Sequence, residues 1–203
     1  MPYLPEHRER IRERIIRSSQ VLFNRHGFEA VSIDEIMANA GLTRGGFYRH
    51  FRKKSDLYAE AIALALHEAP VNRLPGVSVD FEAADAAQQV IRAYLSREHF
   101  DNVDASCPLV GVPSDVARGD PAVKRVFEDV FRGMVDLFYK SLRRDHAPSR
   151  QRALVMAGIC VGGMVVARGL ADRRLADSLL AAATAFALGL GGWSRSGKKR
   201  STR

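Results

Sequence analysis

Residues 32–54, SIDEIMANAGLTRGGFYRHFRKK, constrain the fold more tightly than any other part of the chain. Ser32 and Glu35 have the spacing of a capping box, in which the hydroxyl accepts a free helix amide and the carboxylate reaches back to the cap. Apolar residues then recur at helical spacing. Gly41 suits the left-handed position that ends a helix, and Thr43 can cap the next one. The stretch therefore predicts two short helices joined by a tight turn, a helix-turn-helix.

The second of these helices carries two kinds of side chain. Phe47 and Phe51 form an apolar pair that we expect to be buried. Around this pair lie four polar or charged residues: Arg44, Tyr48, Arg49 and His50. A short helix with one apolar side and a surface rich in Arg, Tyr and His is suited to a polyanion. We therefore expect residues 44–51 to enter a DNA major groove.

The net charge of +8 is concentrated at the two ends of the chain. Residues 1–58 hold 11 Lys or Arg against 7 Asp or Glu, and residues 191–203 hold 5 basic residues and no acidic one. The segment between them holds 15 basic against 16 acidic residues. An isolated basic run is usually a solvated face, but here the excess coincides with a helix-turn-helix pattern. This coincidence favours a nucleic-acid partner.

Helical periodicity continues through the rest of the chain, and no segment of strand-like alternation stands out. We predict an all-α fold of about nine helices: residues 6–25, 32–40, 44–50, 54–69, 81–97, a short one from 108 that Pro113 kinks or restarts, 121–142, 149–168 and 173–190. The predicted domains are a helix-turn-helix domain over 1–54, a helical effector-binding and dimerisation domain over 55–190, and a basic tail over 191–203 with a composition typical of disorder.

The sequence also predicts a compartment. The two cysteines are too few for a disulfide framework or a structural zinc site. The chain begins without an apolar signal segment. Two uncharged runs, 153–167 and 178–194, are shorter than the roughly 20 apolar residues of a spanning helix. We expect them to be buried helices of a cytoplasmic protein, with no membrane partner.

The stretch FNRHGFEAVSIDEIMANAGLTRGGFYRHFRKKSDL carries a family resemblance. It has a Gly-Phe after the first helix, a Ser before the second, an Ala-Gly turn, and a Tyr-x-x-Phe helix followed by Lys. With these motifs, residues 8–58 resemble the tetracycline-repressor (TetR) family of transcriptional regulators. The remaining helices fit the family in number and length alone. The resemblance implies a repressor that binds a palindromic operator as a dimer and is released by a small effector.

Carried over position by position, the resemblance implies a set of DNA contacts. Phosphate contacts are expected from Thr43, Tyr48, His50 and Lys54, with Ser32 near the DNA backbone. The side facing the base edges is expected to hold Arg44, Gly45, Gly46 and Arg49. A guanidinium group can form bidentate hydrogen bonds with guanine, so the two arginines are the candidates for direct readout. A phosphate contact remains the alternative for Arg49. The two glycines weaken a helix by about 1 kcal/mol each relative to Ala. Close approach to the groove and looseness that tightens on DNA are both open explanations for them.

The last two helices are the expected dimer interface. They carry Gly158, Gly162 and Gly163 in AGICVGGMVVARGL and an Ala-rich run in AAATAFALGLGG. Small residues let helices approach closely, so two helices from each subunit can form a four-helix contact. Burial of these faces within one subunit is the alternative.

Ligand control is implied by the resemblance, and the body offers an apolar lining for it. The candidate pocket residues are Cys107, Phe127, Phe131, Met134, Met156, Cys160 and Met164. Ordinary core packing is the alternative for each. An apolar lining favours a hydrophobic or aromatic effector.

Cys107 supports a second hypothesis, a thiol-based sensor of electrophiles or oxidants, because a helix start can lower a thiol pKa. A small apolar residue near the pocket is the alternative, and Cys160 is expected to be inert.

Other function classes find little support in the sequence. The six histidines are scattered, and no nucleophile–base set, zinc-ligand spacing or phosphate-binding loop is present. We therefore expect no catalytic residues, no metal and no cofactor. A basic membrane-surface protein is a further alternative, and it predicts binding to anionic lipid without preference for duplex DNA.

Overall fold

The computed structural model describes residues 5–145 and 149–193, and all regular structure in these two ranges is helical. The described residues form ten α-helices: α1 (Pro5–His26), α2 (Ile33–Asn39), α3 (Lys54–His67), α4 (Ala86–Tyr94), α5 (Arg97–Asp101), α6 (Pro108–Gly111), α7 (Pro113–Arg118), α8 (Pro121–Asp145), α9 (Arg150–Arg168) and α10 (Arg173–Gly191). Two 3₁₀ helices, Arg44–Arg49 and Pro70–Arg73, complete the set. The all-α prediction is confirmed.

The expected helix over residues 81–97 is the clearest difference. The structure begins it at Ala86 and ends it at Tyr94. Upstream, the Asp80 carboxylate accepts the Glu82 amide at 2.9 Å, a local turn that competes with helix. Downstream, the Ser96 hydroxyl accepts the His99 amide at 3.1 Å and starts α5. Side-chain hydrogen bonds to the backbone therefore divide a segment that apolar periodicity presents as one helix.

One apolar core runs through the described chain, from Ile15 in α1 to Ala187 in α10. Helix α3 joins its two ends, because α3 packs on α1 and also along α8. At the first of these contacts the Phe23 and Tyr58 rings meet edge to face with centroids 4.9 Å apart. The helix-turn-helix is therefore fixed to the body by shared packing as well as by chain connection.

Helices α9 and α10 pack against each other and bury one side each. By length and composition both are apolar enough to cross a membrane, but only 33% and 28% of their most apolar windows are buried. We expected both helices to be buried, and each of them is buried on one side alone. Their other sides expose large apolar residues: Leu154, Val155, Val165, Val166, Leu175 and Phe186.

The basic tail is mostly outside the described residues. Helix α10 extends to Gly191, and Gly192 caps it in the left-handed region with φ of 66°. Residues 194–203, which hold all five basic positions of the predicted tail, lie beyond the described range.

Candidate functional site

The start of α2 has the capping box that the sequence predicts. The Ser32 hydroxyl accepts the Glu35 amide at 3.1 Å, and the Glu35 carboxylate accepts the Ser32 amide at 2.7 Å. The hydrogen bonds from the Ser32 amide and hydroxyl lower the pKa of Glu35. This geometry fixes where the chain enters α2 and places the exposed Ser32 at one edge of the surface described below.

A Schellman motif ends α2. The Gly41 amide donates to Ala38 at 2.9 Å and the Leu42 amide donates to Met37 at 2.8 Å. Gly41 has a φ of +65°, so the left-handed conformation expected there is present. The turn directs the chain back across α2 and into the segment 44–49.

The segment Arg44–Arg49, which we call the recognition helix, is a 3₁₀ helix. The Gly46 amide donates to Thr43 at 3.0 Å, and the Thr43 side chain makes no capping hydrogen bond. The predicted burial of Phe47 and Phe51 is confirmed, at 0% and 4% exposure. Two adjacent glycines and a short length disfavour the longer α-helical ladder, which explains the difference in helix type.

The surface of the recognition helix is formed by Thr43, Arg44, Gly45, Tyr48 and Arg49, all of which are exposed. Tyr48 is 60% exposed, with its ring edge-to-face on Phe47 at 5.2 Å. The Arg44 Nη1 donates to Asp34 in α2 at 2.6 Å. Two cationic side chains and one phenol therefore project from a segment that is anchored by buried aromatic rings.

The two glycines differ in their surroundings. A Cβ on Gly45 would meet nothing within 4 Å, whereas a Cβ on Gly46 would lie 3.3 Å from the Met37 methyl group. Packing within the chain thus accounts for Gly46. It does not account for Gly45, which leaves the outer surface of the recognition helix without a protruding side chain at this position.

His50 and Lys54 lie at the edge of this surface and are partly buried. His50 Nδ1 is buried without a hydrogen-bond partner among the described residues. Desolvation, followed by the nearby Arg8 and Arg12, lowers the pKa of His50, so its ring is neutral at pH 7. The Lys54 ammonium donates to the carbonyls of Phe28 at 2.7 Å and Val31 at 2.9 Å.

Lys54 is thus directed at the α1–α2 turn, and its ammonium also lies 4.2 Å from the Phe28 ring centroid. Sequence reasoning missed this tether, and it missed Arg8, whose Nη2 donates to the Arg49 carbonyl at 3.1 Å. Arg8 and Arg49 are 41 residues apart, so no local pattern links them.

A second candidate site is a cavity of about 920 Å³ between α3, α4 and α8. Of the seven expected pocket residues, Cys107 and Met134 line it. Met156, Cys160 and Met164 lie elsewhere, fully buried in the α9 core, and Phe127 and Phe131 pack on the core at the side of α8. Periodicity identified the apolar residues but not which of them border empty space.

The cavity has a polar as well as an apolar lining. His67, Asn72, Asp136 and Lys140 line it together with Ala, Val and Leu side chains. Tyr94 also lines the cavity, and its buried hydroxyl has no hydrogen-bond partner among the described residues. An apolar molecule with a polar atom near this hydroxyl fits such a lining.

Cys107 lies at the N-terminal end of α6 on the wall of the cavity. Burial raises the pKa of its thiol, although the nearby Tyr94 hydroxyl and Leu109 amide oppose the shift. Burial likewise raises the pKa of Cys160 to about 12. Both thiols are therefore protonated at pH 7.

The cavity wall is connected to the helix-turn-helix by a short segment, residues 104–115. The Asn24 side-chain amide of α1 donates to the carbonyls of Asp104 at 3.2 Å and Ser106 at 3.1 Å. Arg25 pairs with the Asp104 carboxylate at 2.5 Å, and the Phe28 amide donates to Asp115 at 2.8 Å. We call these contacts the α1 clasp.

The helix-turn-helix end of the chain matches a known protein family. The family model described as bacterial regulatory proteins, tetR family, matches residues 15–61. The chain is 24% identical over 155 residues to the uncharacterized HTH-type transcriptional regulator YerO of Bacillus subtilis, covering 76% of this chain and 53% of YerO. It is 43% identical over 49 residues to the HTH-type transcriptional regulator AcrR of Shigella flexneri, covering 24% of this chain and 23% of AcrR. The chain thus matches about half of the first relative and a quarter of the second.

Solved structures resemble the fold over nearly the whole chain. A TetR-family transcriptional regulator from Agrobacterium tumefaciens has a TM-score of 0.70 at 20% identity, covering 90% of this chain and 97% of that chain. The reduced form of E. coli NemR has a TM-score of 0.69 at 17% identity, covering 89% and 96%. SmeT in complex with triclosan has a TM-score of 0.62 at 23% identity, covering 90% of each chain. These likenesses concern the fold.

Proposed function

We propose that this chain, which resembles tetR-family transcriptional regulators and has their helix-turn-helix DNA-binding domain, is a cytoplasmic repressor. In this proposal a dimer binds a two-fold symmetric operator, and a small effector bound in the body releases it. Helix-turn-helix dimers bind half-sites about one helical turn apart, which explains the symmetry of the operator.

The observation that carries the proposal is the surface of the recognition helix. Arg44, Tyr48 and Arg49 are exposed on a segment whose Phe47 is fully buried. The buried ring anchors the segment, and the exposed guanidinium and phenol groups are suited to DNA. Gly45 supports close approach, because nothing in the chain occupies the space beside it. We assign phosphate contacts to Ser32, Thr43, Tyr48 and His50, and base contacts to Arg44, Gly45, Gly46 and Arg49.

Lys54 has a different place in this proposal. Its ammonium already holds two backbone carbonyls, so its main effect on DNA binding is to fix the α1–α2 turn. One hydrogen of the ammonium is left for a phosphate.

The operator is tested by selection from random duplex DNA with the purified protein, followed by sequencing of the retained duplexes. We expect a two-fold symmetric motif. Retention of unselected duplexes with a steep salt dependence and no motif would contradict sequence-specific regulation and leave a generic polyanion surface.

Dimerisation is proposed through the exposed sides of α9 and α10. On α9, the exposed residues Val155, Gly158, Gly162 and Val166 are spaced three, four and four residues apart and so share one side of the helix. A Cβ on Gly158 or Gly162 would meet nothing within 4 Å, so these glycines leave room for a partner helix. A contiguous apolar face of this kind marks an interaction surface.

The effector site is proposed in the cavity beside Tyr94. Its lining supports a ligand with an aromatic or aliphatic body and one hydrogen-bonding group. Binding releases DNA only if the ligand prefers a conformation whose two recognition helices do not match the operator spacing.

Gly133 offers a test of the effector site, since it lines the cavity and a Cβ there would meet nothing within 4 Å. Aromatic compounds are screened for release of the selected duplex, and Gly133→Leu is then expected to abolish release while leaving operator binding intact. Asp129→Leu adds the same side chain to an exposed position of α8 outside the cavity and serves as control. Equal release by both variants would place the effector elsewhere.

The thiol-sensor hypothesis has weaker support. Cys107 borders the cavity, but burial raises the pKa of its thiol, which lowers the fraction of reactive thiolate. We therefore favour non-covalent effector binding. Release of DNA by an electrophile from the wild type but not from Cys107→Ser would reverse this preference.

A further inference from the structure

Asp34 lies in the first turn of α2 and faces the recognition helix across the turn. Its Oδ2 accepts the Arg44 Nη1 at 2.6 Å, and the two side chains are 55% and 61% exposed. This is the one hydrogen bond of the Arg44 guanidinium within the described part of the chain. An acidic side chain thus restrains the first residue of the segment proposed to read bases.

Asp34 is an unfavourable choice for affinity. A carboxylate on a surface that faces phosphates repels them on every DNA sequence. Its contribution to the fold is small, because an exposed ion pair stabilises a protein very little. The capping box of α2 is completed by Ser32 and Glu35 without it.

The helix dipole gives a second ordinary reason for an acidic residue in a first turn. Glu35, in the same turn, already supplies one. The feature that the dipole leaves unexplained is the direct contact between Asp34 and Arg44.

We infer that Asp34 is a specificity-determining residue that positions the Arg44 guanidinium for its base contact. This inference rests on the proposed function. A free arginine has many rotamers and can bind any nearby phosphate, whereas a guanidinium held at Nη1 is restricted in both respects. Nη2 and Nε remain for an acceptor on a base edge, for which guanine O6 and N7 are the best matched. Asp34 therefore lowers affinity for all DNA and raises discrimination at one base pair.

The test uses the full-length protein, the selected operator, and operators with a single substitution at each base pair. Arg44→Ala first identifies the base pair that Arg44 reads. Asp34→Asn, which keeps the size of the side chain, is then expected to lower discrimination at that pair by roughly 3- to 10-fold. It should strengthen binding to unrelated duplex a few-fold and leave discrimination at other pairs unchanged.

Two controls separate positioning from charge and from folding. Glu29→Gln removes one negative charge from an exposed residue of the same domain that does not contact Arg44. It should leave the discrimination at the Arg44 pair unchanged. In an Arg44→Ala background, Asp34→Asn should no longer affect that pair, and thermal unfolding should be the same for all Asp34 variants.

The outcomes distinguish this inference from the proposed function. If Arg44→Ala lowers discrimination at one pair and Asp34→Asn does not, the inference is wrong and the proposed function stands. An effect of Asp34→Asn that is the same at every pair, or that persists without Arg44, also overturns it. If no operator is selected, the proposed function fails and the inference fails with it.

Discussion

His99 illustrates how one buried polar residue can be held in a single protonation state. The ring is 1% exposed, and its Nδ1 lies 2.7 Å from the Tyr94 carbonyl, to which the protonated nitrogen donates. Burial lowers the pKa of His99 to about 4, with the nearby Arg168 adding to the shift. The ring is therefore still neutral in the folded protein near pH 6.5, where the same histidine in the unfolded chain becomes protonated.

This shift predicts a pH dependence of stability. The unfolded pKa of about 6.5 exceeds the folded pKa of about 4, so acid favours the unfolded chain. The stabilisation is fully present above pH 6.5 and is lost as the pH falls toward 4, by up to about 3 kcal/mol. Urea unfolding at pH 7.5 and pH 5 should show the loss for the wild type.

His99→Asn keeps a donor for the Tyr94 carbonyl but does not titrate. We expect it to be less stable than the wild type at pH 7.5 and to lose less stability between pH 7.5 and pH 5. An unchanged difference between the two pH values would mean that other groups dominate the acid response.

Gly45 gives a prediction in which stability and function change in opposite directions. Because a Cβ there meets nothing, Gly45→Ala should stabilise the free protein by about 0.5–1 kcal/mol through the unfolded state. It should weaken operator binding if the DNA approaches the backbone closely. Thermal unfolding and operator titration measure the two effects.

Gly46→Ala is the comparison, since its Cβ would press on the Met37 methyl group. We expect no gain in stability from it. A Gly45→Ala variant that is more stable and binds the operator as well as the wild type would favour looseness over close approach as the explanation for the glycine.

At the level of elements, the α1 clasp connects the proposed effector cavity with the helix-turn-helix. Asn24 binds the carbonyls of Asp104 and Ser106, and the next residue, Cys107, lines the cavity. Gly111 packs so closely on Asn24 that an added Cβ would lie 2.5 Å from its side-chain oxygen. We therefore expect a displacement of α6 by a ligand to move the end of α1 as well.

Asn24→Ala should uncouple the two sites. We expect operator affinity to change little and the ratio of operator affinities without and with effector to fall several-fold, because coupling is a difference between conformations. The measurement is operator titration with and without the screened compound. Asn39→Ala removes an amide that bonds to Ser18 within the helix-turn-helix, and it should leave the ratio unchanged.

The elements also show which features could be predicted from sequence. The capping box at Ser32 and the left-handed Gly41 depend on neighbours within a few residues, and both were predicted correctly. The 3₁₀ form of the recognition helix was not predicted, since apolar spacing over six residues does not distinguish the two helix types.

Long-range contacts explain what the sequence could not provide at the candidate site. Lys54 stays a predicted phosphate contact, and its ammonium also holds carbonyls 23 and 26 residues earlier in the chain. The cavity lining likewise combines α3, α4, α6 and α8, so the position of Met134 in it and of Met156 outside it depends on tertiary packing.

The exposed apolar face of α9 and α10 is a property of the whole molecule. Phe186 is 63% exposed and Leu175 is 54% exposed, on the same side of α10 as Ala182 and Gly189. Burying such a face in a symmetric contact stabilises association at about 25 cal/mol per Å² of apolar area before the costs of binding. The proposed dimer therefore depends on this face.

Phe186→Glu should shift the protein from dimer to monomer by placing a charge in the interface. Sedimentation equilibrium gives the oligomeric state, and operator affinity should fall in parallel. Val103→Glu changes an exposed apolar residue that lies outside these two helices and is the control. A Phe186→Glu variant that remains dimeric would exclude this face as the main interface.

The shared core between α1, α3 and α8 has a thermodynamic consequence. Because apolar packing continues from Ile15 through Tyr58 to the body, the DNA-reading end has no separate core to retain when the rest is lost. Heating should then produce a single endotherm with equal calorimetric and van't Hoff enthalpies, once the proposed dimer is treated as the cooperative unit. The same continuity means that a ligand bound in the body raises the melting temperature of the helix-turn-helix together with that of its own site.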